Sequence, residues 1–326
     1  MARSDVEFAI LGAGAIGSII GAHLARSGRT VVMLARGRRA QEIELRGLRI
    51  KGLVEFSQSV PVLTDVSKLS GADVLIVATK TYGTEAALEP LLHARVGTAF
   101  SIQNGLMKNE QLVAAWGRER VLGALANTSG ELLSDGQILF TRNEQLCVGE
   151  LDGGESPRAT RIAKVIDDAG VRASAVRDIQ NLEWSKFAAW AGMMALAVTT
   201  RASTWKYLAD PDSALVLTRL VREVAVLAAA RKITLSDRSP LPVATIARVS
   251  EAEAVVILQA LGNQIKLSAP DHRMSTLQDL EGGRALEIEE TLGYAVRDAA
   301  RLNLALPLLE GFYRLARGID QTRRLS

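Results

Sequence analysis

The run Gly12-Ala13-Gly14-Ala15-Ile16-Gly17 has the residue types and spacing to bind a diphosphate. Its three glycines permit, in order, a tight turn, a close approach of backbone to a pyrophosphate, and close packing of the helix that follows. The free N–H groups opening that helix, at Ala15 and Ile16 among them, and the positive end of its dipole favour phosphate. Arg36 stands 19 residues after Gly17, with Arg38 and Arg39 just beyond. A carboxylate at that place would accept from a ribose 2′-hydroxyl. A guanidinium instead binds a 2′-phosphate with charge-assisted, often bidentate hydrogen bonds. The pattern points to NADPH. Few other residues are placed for polar work in an apolar setting: Lys186 heads the most apolar helical stretch, and Ser275 and Glu287 lie in a polar segment from Met274 to Glu289.

The elements that must carry these residues follow from hydrophobic period. Phe8-Ala9-Ile10-Leu11 leads into the glycine turn, Ser18 to Arg26 is helical until Gly28, and Val31-Val32-Met33-Leu34 is a second apolar run. That is a βαβ unit. Charged, glycine-punctuated residues continue through Gly52, and Ala72 to Ala78 is then a strand of the kind buried on both faces of a parallel sheet, ending at Thr79-Lys80. A helix over Thr84 to Leu92 and a strand from Thr98 to Ile102 lead to Gln103-Asn104-Gly105. A helix over Asn109 to Trp116 precedes a strand from Val121 to Ala126. Alternation of this kind predicts a doubly wound α/β sheet of the Rossmann type, with ligands beyond the carboxyl ends of the strands, where Lys80 and Asn104 stand.

Gln137 to Thr141 and Gln145 to Val148 flank Arg142-Asn143-Glu144, which predicts an antiparallel hairpin added to that sheet. Ser156 is placed to cap a helix running from Pro157 to Ala169, and Val171 to Val176 reads as a last strand. From Asp178 only helical periodicity appears, over Asp178–Thr199, Asp212–Arg231, Pro242–Leu261, Thr276–Leu302 and Leu308–Arg317. The expected organisation is a dinucleotide-binding domain over residues 1–177 and an all-helical domain over residues 178–326 that shapes the substrate site. An apolar helical domain of this kind often supplies a homodimer surface.

Bulk properties bound the function. A chain of 326 residues with 48% hydrophobic residues builds two cores. The net charge of +3 comes from dispersed basic residues without an aromatic-interleaved stripe, which argues against nucleic-acid binding. Cys147 is the one cysteine, and His23, His93 and His272 are far apart, so no metal site is expected. Met1-Ala2-Arg3-Ser4-Asp5 has no signal-peptide character, and the apolar stretch Phe187 to Thr200 is too short to span a bilayer. A soluble, cytoplasmic protein that does not engage membranes is expected.

At these residues the chain resembles the ketopantoate reductase (2-dehydropantoate 2-reductase) family. The similarity spans nearly the full length. It takes in the glycine turn with Arg36, the Thr79-Lys80 strand end, Gln103-Asn104-Gly105, Trp184-Ser185-Lys186, and Ser275-Thr276-Leu277-Gln278-Asp279 with Glu287-Ile288. The resemblance implies an NADP-dependent oxidoreductase of pantothenate biosynthesis. Hydride from NADPH reduces the carbonyl of a small 2-oxo acid, by default 2-dehydropantoate (ketopantoate), to give pantoate. It implies Lys186 as general acid at the developing oxyanion and Glu287 as the acid that holds the lysine and a substrate hydroxyl. Ser275 would bind the substrate carboxylate, Asn104 would lie by substrate and nicotinamide ribose, and Lys80 would lie beside cofactor and substrate.

The chain also departs from the family pattern. Trp190 and Met194, four and eight residues after Lys186, replace asparagines, and His272 aligns with a third. An unpaired buried hydroxyl costs on the order of 1–3 kcal/mol, so a more apolar pocket wall at Trp190 and Met194 implies, as the alternative, a different and more apolar 2-oxo acid. A non-catalytic NADP(H)-binding protein is the remaining class, and retention of Lys186 and Glu287 argues against it.

Overall fold

β1 (Phe8–Leu11) is apolar at every position because its two faces belong to different cores. Phe8 and Ile10 pack in one cluster, with alternate residues of the neighbouring strands and with α1; Ala9 and Leu11 pack in another. The computed structural model describes residues 6–324. Two units divide the chain: residues up to Asn104 with Lys108–Gln180, and Gly105–Met107 with residues from Asn181 onward.

In the first unit β1 is followed by α1 (Ala15–Arg26), β2 (Val31–Leu34), α2 (Gly37–Arg46), β3 (Leu48–Gly52), β4 (Phe56–Gln58), β5 (Val62–Leu63), β6 (Gly71–Val77), α3 (Thr84–Leu88), β7 (Arg95–Ser101), α4 (Met107–Trp116, its first residue in the second unit), β8 (Leu122–Leu132), β9 (Ile138–Glu150), α5 (Pro157–Asp168) and β10 (Ala173–Ala175). A parallel sheet runs β5-β2-β1-β6-β7. The Rossmann-type reading holds for it. Ser156 caps α5 as expected, its Oγ accepting from the N–H of Ala159 at 3.1 Å, with Pro157 next.

The hairpin differs from expectation. Arg142-Asn143-Glu144 lies inside β9, and the turn is Leu133 to Gln137, where Gly136 takes φ +81°. Asp135-Gly136 suits that reversal, and two register shifts in β8, at Ala126/Thr128 and Ser129/Gly130, absorb the mismatch along the strands. Nor does the hairpin simply extend the parallel sheet. It belongs to a second sheet, β10-β9-β3-β4 with β8 on β9, and meets the first through one bridge, Ala99 to Val121. α1 packs on this second sheet: a Cβ at Gly130 would lie 2.7 Å from Ile19 Cδ1.

The second unit is helical: α6 (Ile179–Thr200, its first two residues in the first unit), α7 (Thr204–Ala209), α8 (Pro211–Ala230), α9 (Val243–Arg248), α10 (Glu251–Ser268), α11 (Ser275–Glu281), α12 (Leu292–Arg301) and α13 (Pro307–Arg323). Two long predicted helices are broken. Pro242–Leu261 divides at Ser250, which forms a capping box with Glu253. Thr276–Leu302 divides at Gly282-Gly283, where Gly283 takes φ +70°. Among the described residues no helix is long and apolar enough to cross a membrane. Met1 to Asp5, read above for targeting character, lie outside the described residues.

Candidate active site

Gly12 turns the chain off β1 at φ +110°, and a Cβ there would meet the backbone of Ala78 and Thr79 below 3 Å. Gly17 sits against the Gly12 carbonyl, which brings α1 close to β1. Gly14, at φ −68°, has nothing within 4 Å of a Cβ, so its side of the turn is open. It is also the N-cap of α1. No side chain caps that helix and its first turn, with Ala15 and Ile16, holds no acidic residue, so the N–H groups and dipole there face no protein anion.

The three arginines that follow β2 have separate situations. Arg36 is exposed and makes no ion pair or side-chain hydrogen bond among the described residues. Arg38 pairs with Glu42 at 2.8 Å in solvent. Arg39 turns inward. Its Nε donates to the carbonyl of Ala13 at 3.0 Å, Nη1 to the carbonyl of Gly136 at 2.9 Å, and Nη2 to Ser18 Oγ at 3.2 Å. Burial pushes its pKa below the ordinary arginine value, with Glu42 opposing.

Lys80 and Asn104 follow the ends of β6 and β7, and Gln103 brings those ends together. Its buried amide Nε2 lies 3.1 Å from Thr79 Oγ1, 3.1 Å from the Lys80 carbonyl and 2.9 Å from Thr84 Oγ1, while Oε1 accepts from Ser101 Oγ at 2.8 Å. Two N–H groups shared by three acceptors fix the amide plane and with it the backbone leading into Asn104. Lys108 is a residue to which the sequence gives no role. It is buried in the first turn of α4 and donates from Nζ to the carbonyls of Ser101, at 2.9 Å, and Ala124. A lysine opening a helix reads as solvated, so nothing in the sequence marked it.

In the second unit, Lys186, Trp190 and Met194 recur every four residues on α6 and share a face. Lys186 is part-buried, Trp190 is 6% exposed, and Met194 is 0% exposed. Both side chains are buried in the core cluster of the helical unit, Met194 completely and Trp190 nearly so. The Trp190 ring stacks on Phe187 with centroids 6.4 Å apart. The loop after α8 is tied to the start of the lysine-bearing helix: Ser236 N donates to Ser185 Oγ at 2.8 Å and Thr234 N to Asn181 Oδ1 at 3.2 Å.

Ser275 is the first residue of α11. It is exposed and makes no capping hydrogen bond, the cap position being Met274. Glu287 is buried in the irregular segment between α11 and α12 rather than on a helix, and its carbonyl accepts from Thr291 Oγ1. Its neighbours divide. Glu289 accepts from Tyr313 and pairs with Arg297 and Arg317 at 3.2 Å each. Half-buried Glu290 is held above the ordinary carboxylate range, chiefly by burial, with the negative charges of Glu287 and Glu289 adding to the effect. His272 Nδ1 lies 2.9 Å from Thr204 Oγ1, a hydroxyl also reached by Tyr207, whose buried phenol is pushed up to about 12.

Residues 8–153 match the family model described as Ketopantoate reductase PanE/ApbA, and residues 178–320 the model for its C-terminal part. A 2-dehydropantoate 2-reductase of Archaeoglobus fulgidus is 29% identical over 311 residues, covering 95% of this chain and 97% of the relative. An uncharacterized oxidoreductase of Bacillus subtilis, YkpB, is 27% identical and covers 94% of this chain and 97% of that one. Among solved structures, a PanE/ApbA family ketopantoate reductase from Ralstonia eutropha shares the fold with a TM-score of 0.82 at 24% identity, covering 98% of this chain and 100% of that one. A D-mandelate dehydrogenase in ternary complex with NADH and anilino(oxo)acetate shares it equally, with a TM-score of 0.82 at 19% identity and the same coverage.

Proposed function

The chain belongs to the ketopantoate reductase family, oxidoreductases that act on CH–OH groups with a nicotinamide cofactor, and from that premise we propose that it reduces a 2-oxo acid to the 2-hydroxy acid with NADPH. The observation that carries the cofactor choice is Arg36: an exposed guanidinium without an ion-pair partner among the described residues, where an NADH site would carry a carboxylate. The turn fits a dinucleotide, because Gly14 leaves its side open and the N-terminus of α1 is uncapped. Gly12, Gly14, Ala15, Ile16 and Gly17 would hold the diphosphate, Arg36 the 2′-phosphate, and Lys80 and Asn104 the nicotinamide end.

When bound, the nicotinamide supplies a hydride to the substrate carbonyl carbon. Lys186 stabilises the charge that develops on the carbonyl oxygen and donates the proton there as general acid. Glu287 holds the Lys186 ammonium and accepts from a substrate hydroxyl. Ser275 donates its uncommitted hydroxyl to the substrate carboxylate, and Asn104 and Lys80 orient the reacting groups.

Ketopantoate is the default substrate. Trp190, on the same face of α6 as Lys186 where the family pattern has asparagine, favours a second reading with a more apolar 2-oxo acid. Turnover of ketopantoate, an aliphatic series and phenylglyoxylate with NADPH separates the two. The highest kcat/KM on ketopantoate overturns the second reading, and the highest on an apolar acid overturns the default. Tight NADPH binding without turnover of any of them would overturn the catalytic assignment itself. A homodimer through the helical unit is part of the same proposal, checked by light scattering.

A further inference from the structure

We propose that Arg39 is a positioning residue of the nucleotide turn, holding the Ala13–Gly14 peptide so that the Gly14 N–H faces the phosphates while the guanidinium itself touches no cofactor. The proposal rests on the reading of this turn as the phosphate site. From sequence, Arg39 is one of three basic residues beyond β2, of which Arg36 is the one expected at the 2′-phosphate. Its surroundings separate it from Arg36. The side chain is 15% exposed, against 83% for Arg38. All three of its nitrogens are engaged on separate segments: the turn at Ala13, α1 at Ser18, and the β8–β9 turn at Gly136.

What these bonds do follows from peptide geometry. The Ala13 carbonyl oxygen accepts twice, from Arg39 Nε at 3.0 Å and from Ser18 Oγ at 3.1 Å. A trans peptide is planar, with its C=O and N–H antiparallel, and no peptide here is cis. Holding the Ala13 oxygen toward Arg39 therefore directs the Gly14 N–H away from it, on the residue whose own side is open. A cation on the carbonyl also polarises the peptide and makes that N–H a stronger donor. Arg39 further ties the turn to Gly136, so the second sheet braces the phosphate loop from behind.

The test is titration of the full-length chain with NADPH and with NADH, read by nicotinamide fluorescence, for Arg39→Ala, Arg39→Lys and Arg36→Ala. Both cofactors share the diphosphate, so Arg39→Ala is expected to raise both dissociation constants by about ten-fold, leaving their ratio unchanged. Arg39→Lys, which keeps the charge without the fork, is expected to recover part of the loss for both. Should Arg39→Ala fail to fold, the lysine variant carries the test. A loss confined to NADPH would make Arg39 a 2′-phosphate ligand and overturn the proposal. So would unchanged constants accompanied only by a smaller folded fraction, the mark of a merely structural role. Arg36→Ala is expected to weaken NADPH alone. If it does not, the 2′-phosphate assignment fails while a parallel loss at Arg39 still supports the brace.

Discussion

A Cβ built on Gly17 would lie 2.2 Å from the carbonyl oxygen of Gly12. No rotation of a side chain relieves such a contact, since both atoms belong to backbone-fixed positions. Gly17→Ala must push α1 away from β1, and a loss of about 1–3 kcal/mol is expected for overpacking of this kind. Gly14→Ala is the contrasting case. Its φ of −68° suits alanine, and nothing lies within 4 Å of the added methyl. Melting curves should show Gly17→Ala destabilised and Gly14→Ala close to the parent, while NADPH titration should show Gly14→Ala weakened because the methyl occupies the phosphate side. Normal NADPH affinity in Gly14→Ala would place the diphosphate elsewhere.

Asp298 anchors the helical unit. Its carboxylate is 0% exposed and accepts from Arg231 Nε at 2.9 Å and from Nη2. Removing the cation leaves a buried charge behind. Arg231→Ala should cost about 2–3 kcal/mol, less than for a fully buried pair because Arg231 is itself 37% exposed. Chemical denaturation gives the value, and Arg231→Ala/Asp298→Asn should recover part of it. A single variant as stable as the parent would assign the pair no structural role.

His23 predicts a pH dependence. The ring is buried between Phe56 and Phe140, and burial, helped by Arg26, pushes its pKa below the ordinary 6.5 against the hydrogen bond to the Ala169 carbonyl. The unfolded chain thus takes up a proton at a pH where the folded chain stays neutral. The stability that neutral His23 contributes is present above about 6.5 and is lost as pH falls below it. His23→Gln should flatten the slope of melting temperature against pH over that window. Glu290, raised, acts with the opposite sign at higher pH than its ordinary value, so the difference between parent and variant is the quantity to read. An unaltered slope would remove His23 as its source.

What was legible in the sequence tracks where one local signal sufficed. β1 and β2 are legible because both faces are buried and every residue is apolar, and β6 because only Asp73 interrupts its buried apolar run. β3 and β4 did not: Leu48-Arg49-Ile50-Lys51-Gly52 buries alternate residues only, and its charged outward side chains read as a loop. The hairpin turn was misplaced because Arg142-Asn143-Glu144 is polar, whereas Asp135-Gly136 supplies the positive φ that the reversal needs. At the candidate site the glycine turn and Arg36 were readable from spacing. Arg39, Gln103 and Lys108 were not, because their work is hydrogen bonding to backbone carbonyls and oxygens from distant segments, such as Gly136 and Ala124. Sequence separation hides contacts of that kind. Burial was hidden too: Trp190 and Met194 share one face of α6, and both lie in the core of the helical unit.

The central claim is that Lys186 donates the proton in 2-oxo acid reduction, and its most direct measurement compares Lys186→Ala with the parent in kcat at saturating substrate and in NADPH dissociation constant. Removing a general acid that also stabilises the oxyanion should lower kcat by roughly 10²–10⁴-fold while NADPH affinity stays near the parent value. Equal losses in both, or a kcat left unchanged, would contradict the account and assign Lys186 to binding or packing.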